Sequence, residues 1–119
     1  MHWARLISAF LLAIVWSGAQ AADIHGKVVA VADGDTITIL TSAKEQVKIR
    51  LHGIDAPERG QDFGTKSKQA LSDLVFGKQV RIETEGKDRY GRVIGTVFVD
   101  GVDVNLAMVD MGLAWHYVE

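Results

Sequence analysis

From Ile24 to Leu40 the chain is rich in β-branched residues, with Ile24, Val28, Val29 and Val31 ahead of Asp33-Gly34 and Ile37 and Ile39 after it. This pattern predicts a hairpin. The Asp-Gly dipeptide is expected to supply the positive φ of a tight turn, and Thr36-Ile37-Thr38-Ile39 alternates with the period of a strand that buries one face. Gln46 to His52 alternates again, setting Val47, Ile49 and Leu51 on one face and Lys48, Arg50 and His52 on the other. Thr65 to Phe76 lacks Gly and Pro and places Ala70, Leu71, Leu74 and Val75 on one stripe. It is expected to form an amphipathic helix that begins at Gly64 or Thr65 and runs to Phe76, with Gly77 as the left-handed residue past its end. Gln79 to Glu85 and Arg92 to Asp100 read as two further strands, the second closed by Asp100-Gly101. Asn105 to Met111 reads as a short helix with Asn105 as its N-cap, Leu106 and Val109 sharing a face and Gly112 as its stop. Five strands, with one helix between the third and fourth and another after the fifth, predict an α+β domain. Its expected core is a small five-stranded Greek-key barrel of the OB type. The chain shows no repeat, linker or low-complexity stretch.

Ahead of this pattern, Arg5 is followed by the apolar run Leu6 to Trp16 and then by small residues, with Ala19-Gln20-Ala21 matching a cleavage site. The run is shorter than the roughly 20 residues that span a bilayer, so residues 1–21 are expected to be an export signal, with retention as an anchor the alternative. Cleavage would leave residues 22–119 as one domain with one modest core, periplasmic or secreted. That domain is expected to be a monomer without stable membrane association. The exported part would carry 12 Lys and Arg against 15 Asp and Glu. No basic field is available to hold a polyanion, which would have to be held by local cations or a metal. The chain has no Cys, which excludes disulfides, thiol catalysis and Cys-bound zinc.

The candidate chemistry centres on Arg50-Leu51-His52-Gly53-Ile54-Asp55-Ala56-Pro57-Glu58, where a strand runs into a turn carrying two carboxylates. Carboxylates can hold a hard cation or position water, and Arg offers paired donors to a phosphate. By itself such a stretch is an ordinary solvated turn. Asp33-Gly34-Asp35-Thr36 upstream and Asp88-Arg89-Tyr90-Gly91-Arg92 downstream change that weighing. Together with Val104-Asn105 and Gly112-Leu113-Ala114, these stretches give the chain from 24 to 118 a resemblance to the thermonuclease family, the staphylococcal-nuclease-like domains.

The resemblance implies a calcium-dependent phosphodiesterase on an OB-type barrel that hydrolyses DNA and RNA, single strands preferentially, and leaves 3′-phosphates. Asp35 and Asp55 match the family's metal carboxylates, and Ala56 stands where the family, often with Thr, gives a backbone carbonyl to the ion. Glu58 matches the general base, and Arg50 and Arg92 the two phosphate-binding arginines. Arg89 and Tyr90 fall where a neighbouring phosphate is contacted. Tyr117, one position out of step counted from Gly112, falls near a Tyr that stacks on a base. The family also continues into a further helix that packs on the barrel, whereas this chain stops at Glu119. The domain is therefore expected to lack that helix, leaving Leu113, Trp115 and Val118 without cover.

The residue inventory is chemically coherent. Water attacking a phosphodiester adds charge to the non-bridging oxygens, so a site must supply positive potential and a base. Asp35, Asp55 and Glu58 outnumber Arg50 and Arg92 by one, and one divalent cation reverses that sign. All-oxygen ligation suits calcium or magnesium rather than zinc or copper. Simpler readings stand beside these. Asp33, and Asp35 taken singly, can be turn residues. Arg92 can pair with a surface carboxylate. His25, His52 and His116 read as structural or solvated, and Trp115 as core. The competing functional class is a nucleic-acid-binding or interaction module of the same fold without hydrolysis.

Overall fold

The β-branched run from Ile24 forms a ten-residue strand, β1 (Ile24–Asp33), that serves two neighbours in succession. Its first residues pair with β5 (Gln79–Lys87) through Ile24↔Ile82 to Lys27↔Gln79. Its later residues pair with β2 (Thr36–Leu40) through Lys27↔Leu40 to Asp33↔Thr36. Register shifts between Val28 and Ala30 and between Val31 and Asp33 bend the strand as bulges do. In this computed structural model, which describes residues 23–117, β3 (Gln46–Leu51) continues the meander beside β2. β6 (Val93–Val99) pairs antiparallel with β5, and the parallel pairing of β3 with β6 closes a five-stranded barrel. The export signal expected over residues 1–21, and Val118, lie outside the described residues.

The barrel is filled by the apolar faces that period-two alternation marks. Ile37, Ile39, Ile49, Ile82 and Val97 are fully buried, and every second residue of β6 from Val93 to Val99 faces inward. Helix α1 (Gly64–Val75) covers one opening with Leu71 and Val75, with Ala70 and Leu74 packed against the core edge. Ser67, also fully buried on that helix, donates from Oγ to the Leu113 carbonyl at 2.7 Å and ties the C-terminal segment to it. Short strands β4 (Ile54–Asp55) and β8 (Trp115–His116) pair outside the barrel, and β7 (Val102–Asp103) extends the sheet at β6.

Four local expectations are corrected. Gly34 does not occupy the left-handed region; it is needed because a Cβ there would lie 1.8 Å from Ser67 Oγ. Helix α2 (Val104–Asp110) is capped by Asp103, whose carboxylate accepts from the Leu106 amide at 2.9 Å, not by Asn105. Its buried face is Val104, Asn105 and Met108, while Leu106 is exposed, because starting the helix at Val104 rotates that position outward. Trp115 is 51% exposed rather than core, since β8 lies outside the barrel against β4.

Asn105 has a larger task than a cap. Its Oδ1 accepts from the Val97 amide at 3.1 Å, and its Nδ2 donates to the carbonyls of His52 (2.9 Å) and Gly95 (3.2 Å). One buried amide thus satisfies three backbone groups and locks α2, β6 and the β3–β4 corner together, which a buried polar side chain must do to avoid a net cost.

Candidate active site

Two carboxylates and one guanidinium meet at the end of β3. Thr36 and Arg50 are cross-strand partners, so Arg50 stands beside the turn that carries Asp35. The Asp35 carbonyl accepts the Leu51 amide at 2.8 Å, pinning that turn to β3. Arg50 Nη1 donates to the carbonyls of Leu51 (2.9 Å) and Ile54 (2.8 Å), while Nη2 lies 3.5 Å from both Asp35 Oδ2 and Asp55 Oδ1. The same two oxygens accept from the Ala56 amide, at 3.0 and 3.1 Å. Asp35 and Asp55, 20 positions apart in sequence, are thereby brought to one point.

Asp35 is buried, and burial pushes its carboxyl up to about 7, helped by the neighbouring Asp33 carboxylate and opposed by Arg50 and the Ala56 amide. A buried carboxylate with its charge disfavoured, set against a second carboxylate, fits a hard cation, because a divalent ion at those oxygens removes the cost of ionising Asp35. Among the described residues no group of three His, Asp or Glu side chains converges as a metal site. Glu58 lies three residues beyond Asp55 on an exposed loop; its amide donates to Gln61 Oε1 at 2.7 Å. Gly64 lets the start of α1 press on this loop, since a Cβ there would lie 2.1 Å from the Glu58 carbonyl oxygen.

A cleft of about 990 Å³ opens beside this cluster and gathers Arg50, Asp55, Arg89, Tyr90, Arg92 and Tyr117 from the sequence-derived candidates. Asp35 and Ala56 sit behind Arg50 and Asp55, and Glu58 is outside the lining. The loop from Asp88 to Arg92 is wound around the Asp88 carboxylate, which accepts from the amides of Tyr90 (2.9 Å) and Arg92 (3.0 Å) and from Arg92 Nε (2.7 Å). Burial raises the Asp88 carboxyl, but these hydrogen bonds and the Arg92 charge outweigh it and hold it below the ordinary range. Arg92 does pair with a carboxylate, and the pairing aims it, since only Nε is used among the described residues. The Tyr90 ring is 68% exposed, with the guanidinium carbons of Arg89 and Arg92 at 5.0 and 5.5 Å from its centroid. The Tyr117 amide donates to the Gly53 carbonyl at 2.8 Å, which holds its exposed side chain at the cleft.

Lys87, Glu85, His52 and His116 also line the cleft. Pattern reading missed Lys87 because it falls at the end of β5, past the alternating part of that strand. With Lys87, four cations face three carboxylates along the wall, so the cleft itself is net positive while Asp35 and Glu58 lie off it. The sign reversal expected from a metal therefore applies to the cluster behind Arg50 and not to the whole cleft.

The fold is thus a closed five-stranded barrel whose wall carries a cationic cleft beside two converging carboxylates. A family model described as staphylococcal nuclease homologue matches residues 48–119, and the chain belongs to that family. It is 46% identical over 112 residues to an uncharacterized endonuclease of Haemophilus influenzae, covering 94% of this chain and 63% of that protein. It is 52% identical over 97 residues to an uncharacterized endonuclease of Escherichia coli, covering 81% and 63%. A micrococcal nuclease of Shigella flexneri is 38% identical over 122 residues, covering 95% and 69%. The chain thus spans less than two thirds of the length of the two endonucleases.

Proposed function

We propose that the protein is an exported, calcium-dependent nuclease that hydrolyses phosphodiester bonds of DNA and RNA and leaves 3′-phosphates. The observation that carries this reading is the meeting of Asp35 and Asp55 on the Ala56 amide with Arg50 3.5 Å from both, at the edge of a cationic cleft. Family membership and the names of the relatives support it. Export is supported by the pattern over residues 1–21.

In this mechanism Asp35 and Asp55 would hold the cation, with the Ala56 carbonyl as a further oxygen ligand. When bound, the ion supplies positive potential to the scissile phosphate. Arg50, already fixed by two carbonyls, and Arg92, aimed by Asp88, donate to non-bridging oxygens where charge grows during attack. Glu58 accepts the proton of the attacking water. The bond from phosphorus to the 5′-oxygen breaks, and the departing oxygen takes a proton from solvent, which gives a 5′-hydroxyl and a 3′-phosphate. Arg89 and Tyr90 take a neighbouring phosphate, and the open Tyr90 and Tyr117 rings offer stacking surfaces to unpaired bases, which favours single strands.

The test is incubation of the protein with denatured DNA in calcium or in chelator, followed by end-group analysis. Cleavage in calcium to 3′-phosphate ends, with none in chelator, is expected. Tight binding without cleavage would instead make the protein a non-catalytic binding module.

A further inference from the structure

A second cavity, of about 210 Å³, is lined by Ala32, Asp33, Arg59, Gly64, Thr65 and Lys68 and shares no residue with the cleft. The two hollows flank the stretch from Asp55 to Arg59, and the cavity also adjoins the turn that carries Asp35. The cleft takes Asp55 from the stretch that ends in Glu58, while the cavity takes Arg59, the residue after Glu58, and Asp33, two residues before Asp35. Lys68 reaches it from α1, whose first residue packs on the Glu58 carbonyl. Among the described residues neither Arg59 nor Lys68 takes part in an ion pair, although Arg50, Arg81 and Arg92 all do. Asp33 is the one carboxylate of the lining, and its Oδ1 already accepts from the Asp35 amide at 3.2 Å. The cavity is left with a surplus of one positive charge in a chain whose formal balance is −2.

A nuclease that cuts within a strand must accommodate polynucleotide on both sides of the bond it breaks. Arg89, Tyr90 and Arg92 line the cleft with Arg50 and Asp55, and none of them lines the cavity. We propose that Arg59 and Lys68, with the Thr65 hydroxyl, form a second phosphate subsite that holds the polynucleotide backbone on the other side of the scissile bond. This rests on the nuclease reading above. Arg59 gives a planar fork and Lys68 a mobile point charge, a pairing suited to a diester whose orientation changes with the base attached. The subsite reads no sequence, because phosphate contacts position the strand without distinguishing bases.

The test compares two substrates of the full chain in calcium: a single-stranded oligonucleotide that extends well past the cut on both sides, and a nitrophenyl phosphodiester of a single nucleoside, which is too short to span both subsites. In an Arg59→Gln, Lys68→Gln double variant, kcat/KM for the oligonucleotide should fall about tenfold further than kcat/KM for the ester. The slope of log kcat/KM against log salt should become shallower by about 0.7, the value for one single-strand phosphate contact. The charge-preserving exchange Arg59→Lys, Lys68→Arg should restore most of the loss. Equal falls on both substrates would show that the substitutions act through the Glu58 loop, and no fall on either would show that no phosphate is held; each overturns the subsite and leaves the nuclease reading standing. A wild-type chain that cleaves neither substrate would remove both.

Discussion

At the scale of single residues, Asp35 is where stability and function pull in opposite directions. Its carboxyl is raised from 3.8 to about 7 in the folded chain, chiefly by burial. Between those values the unfolded chain has released a proton that the folded chain keeps. Without a cation, stability therefore falls as pH rises through this window, by roughly 1.4 kcal/mol per unit, and the loss is complete above about pH 7. Asp88, whose shift is downward, contributes in the opposite sense and only at lower pH. Asp35→Asn should accordingly make the chelated protein more stable at pH 8, by up to about 4 kcal/mol, and flatten its stability between pH 4 and 7. It should also weaken calcium binding. Urea unfolding at pH 5 and pH 8 in chelator, with calorimetric calcium titration, checks both; unchanged calcium affinity would return Asp35 to being a turn residue. Arg92→Lys should be costly to turnover, since Lys retains the charge but cannot use one nitrogen on Asp88 and a planar pair on phosphate at once. Full activity in that variant, measured on denatured DNA, would show that charge alone suffices.

At the scale of elements, the parts that hold the site are joined by a few polar atoms. Asn105→Leu would remove the Asn105 bonds to the Val97 amide and the His52 carbonyl and one of two donors to the Gly95 carbonyl, which keeps the His52 amide at 2.8 Å, at a cost of about 2–4 kcal/mol, visible as a lower urea midpoint. Gly34→Ala should also destabilise, and should lower calcium affinity, because making room beside Ser67 displaces the turn that carries Asp35. The strands were legible in the sequence, since Ile37, Ile39, Ile49 and Leu51 obey the period-two rule for a sheet buried on one face. Helix α1 was legible to within one residue at each end. Helix α2 was legible to the same tolerance, but its cap and buried face were not, because seven residues give too few turns for a 3.6-residue period to fix which face is buried; Leu106 and Val109 were read as one face, whereas Val104, Asn105 and Met108 are the buried residues. Of the site, the acidic turn and the Asp88–Arg92 loop were visible as short motifs. The placement of Lys87 on the cleft and the exposure of Trp115 depend on pairings between β5 and β6 and between β4 and β8 that no local pattern encodes.

At the scale of the whole molecule, a small barrel without disulfides carries a buried carboxylate, its charge disfavoured by burial, at the edge of a cationic cleft. Such a molecule should be stabilised by what it binds. Calcium at a hundred times its dissociation constant adds about 2.7 kcal/mol by mass action, which for a domain of this size is roughly 10–20 °C in Tm. Thermal unfolding followed by circular dichroism, in calcium and in chelator, reads this shift. A Tm that does not respond to calcium would show that the folded state has no preferred site for it.

In the proposed mechanism Glu58, on the loop beside the cleft, is the base for phosphodiester hydrolysis. Steady-state cleavage of denatured DNA by the wild-type chain and by Glu58→Gln, in saturating calcium, tests it most directly. The wild type should cleave, and the variant's kcat should be lower by roughly 10²–10⁴-fold, with KM changed much less. Cleavage by Glu58→Gln at the wild-type rate would contradict it.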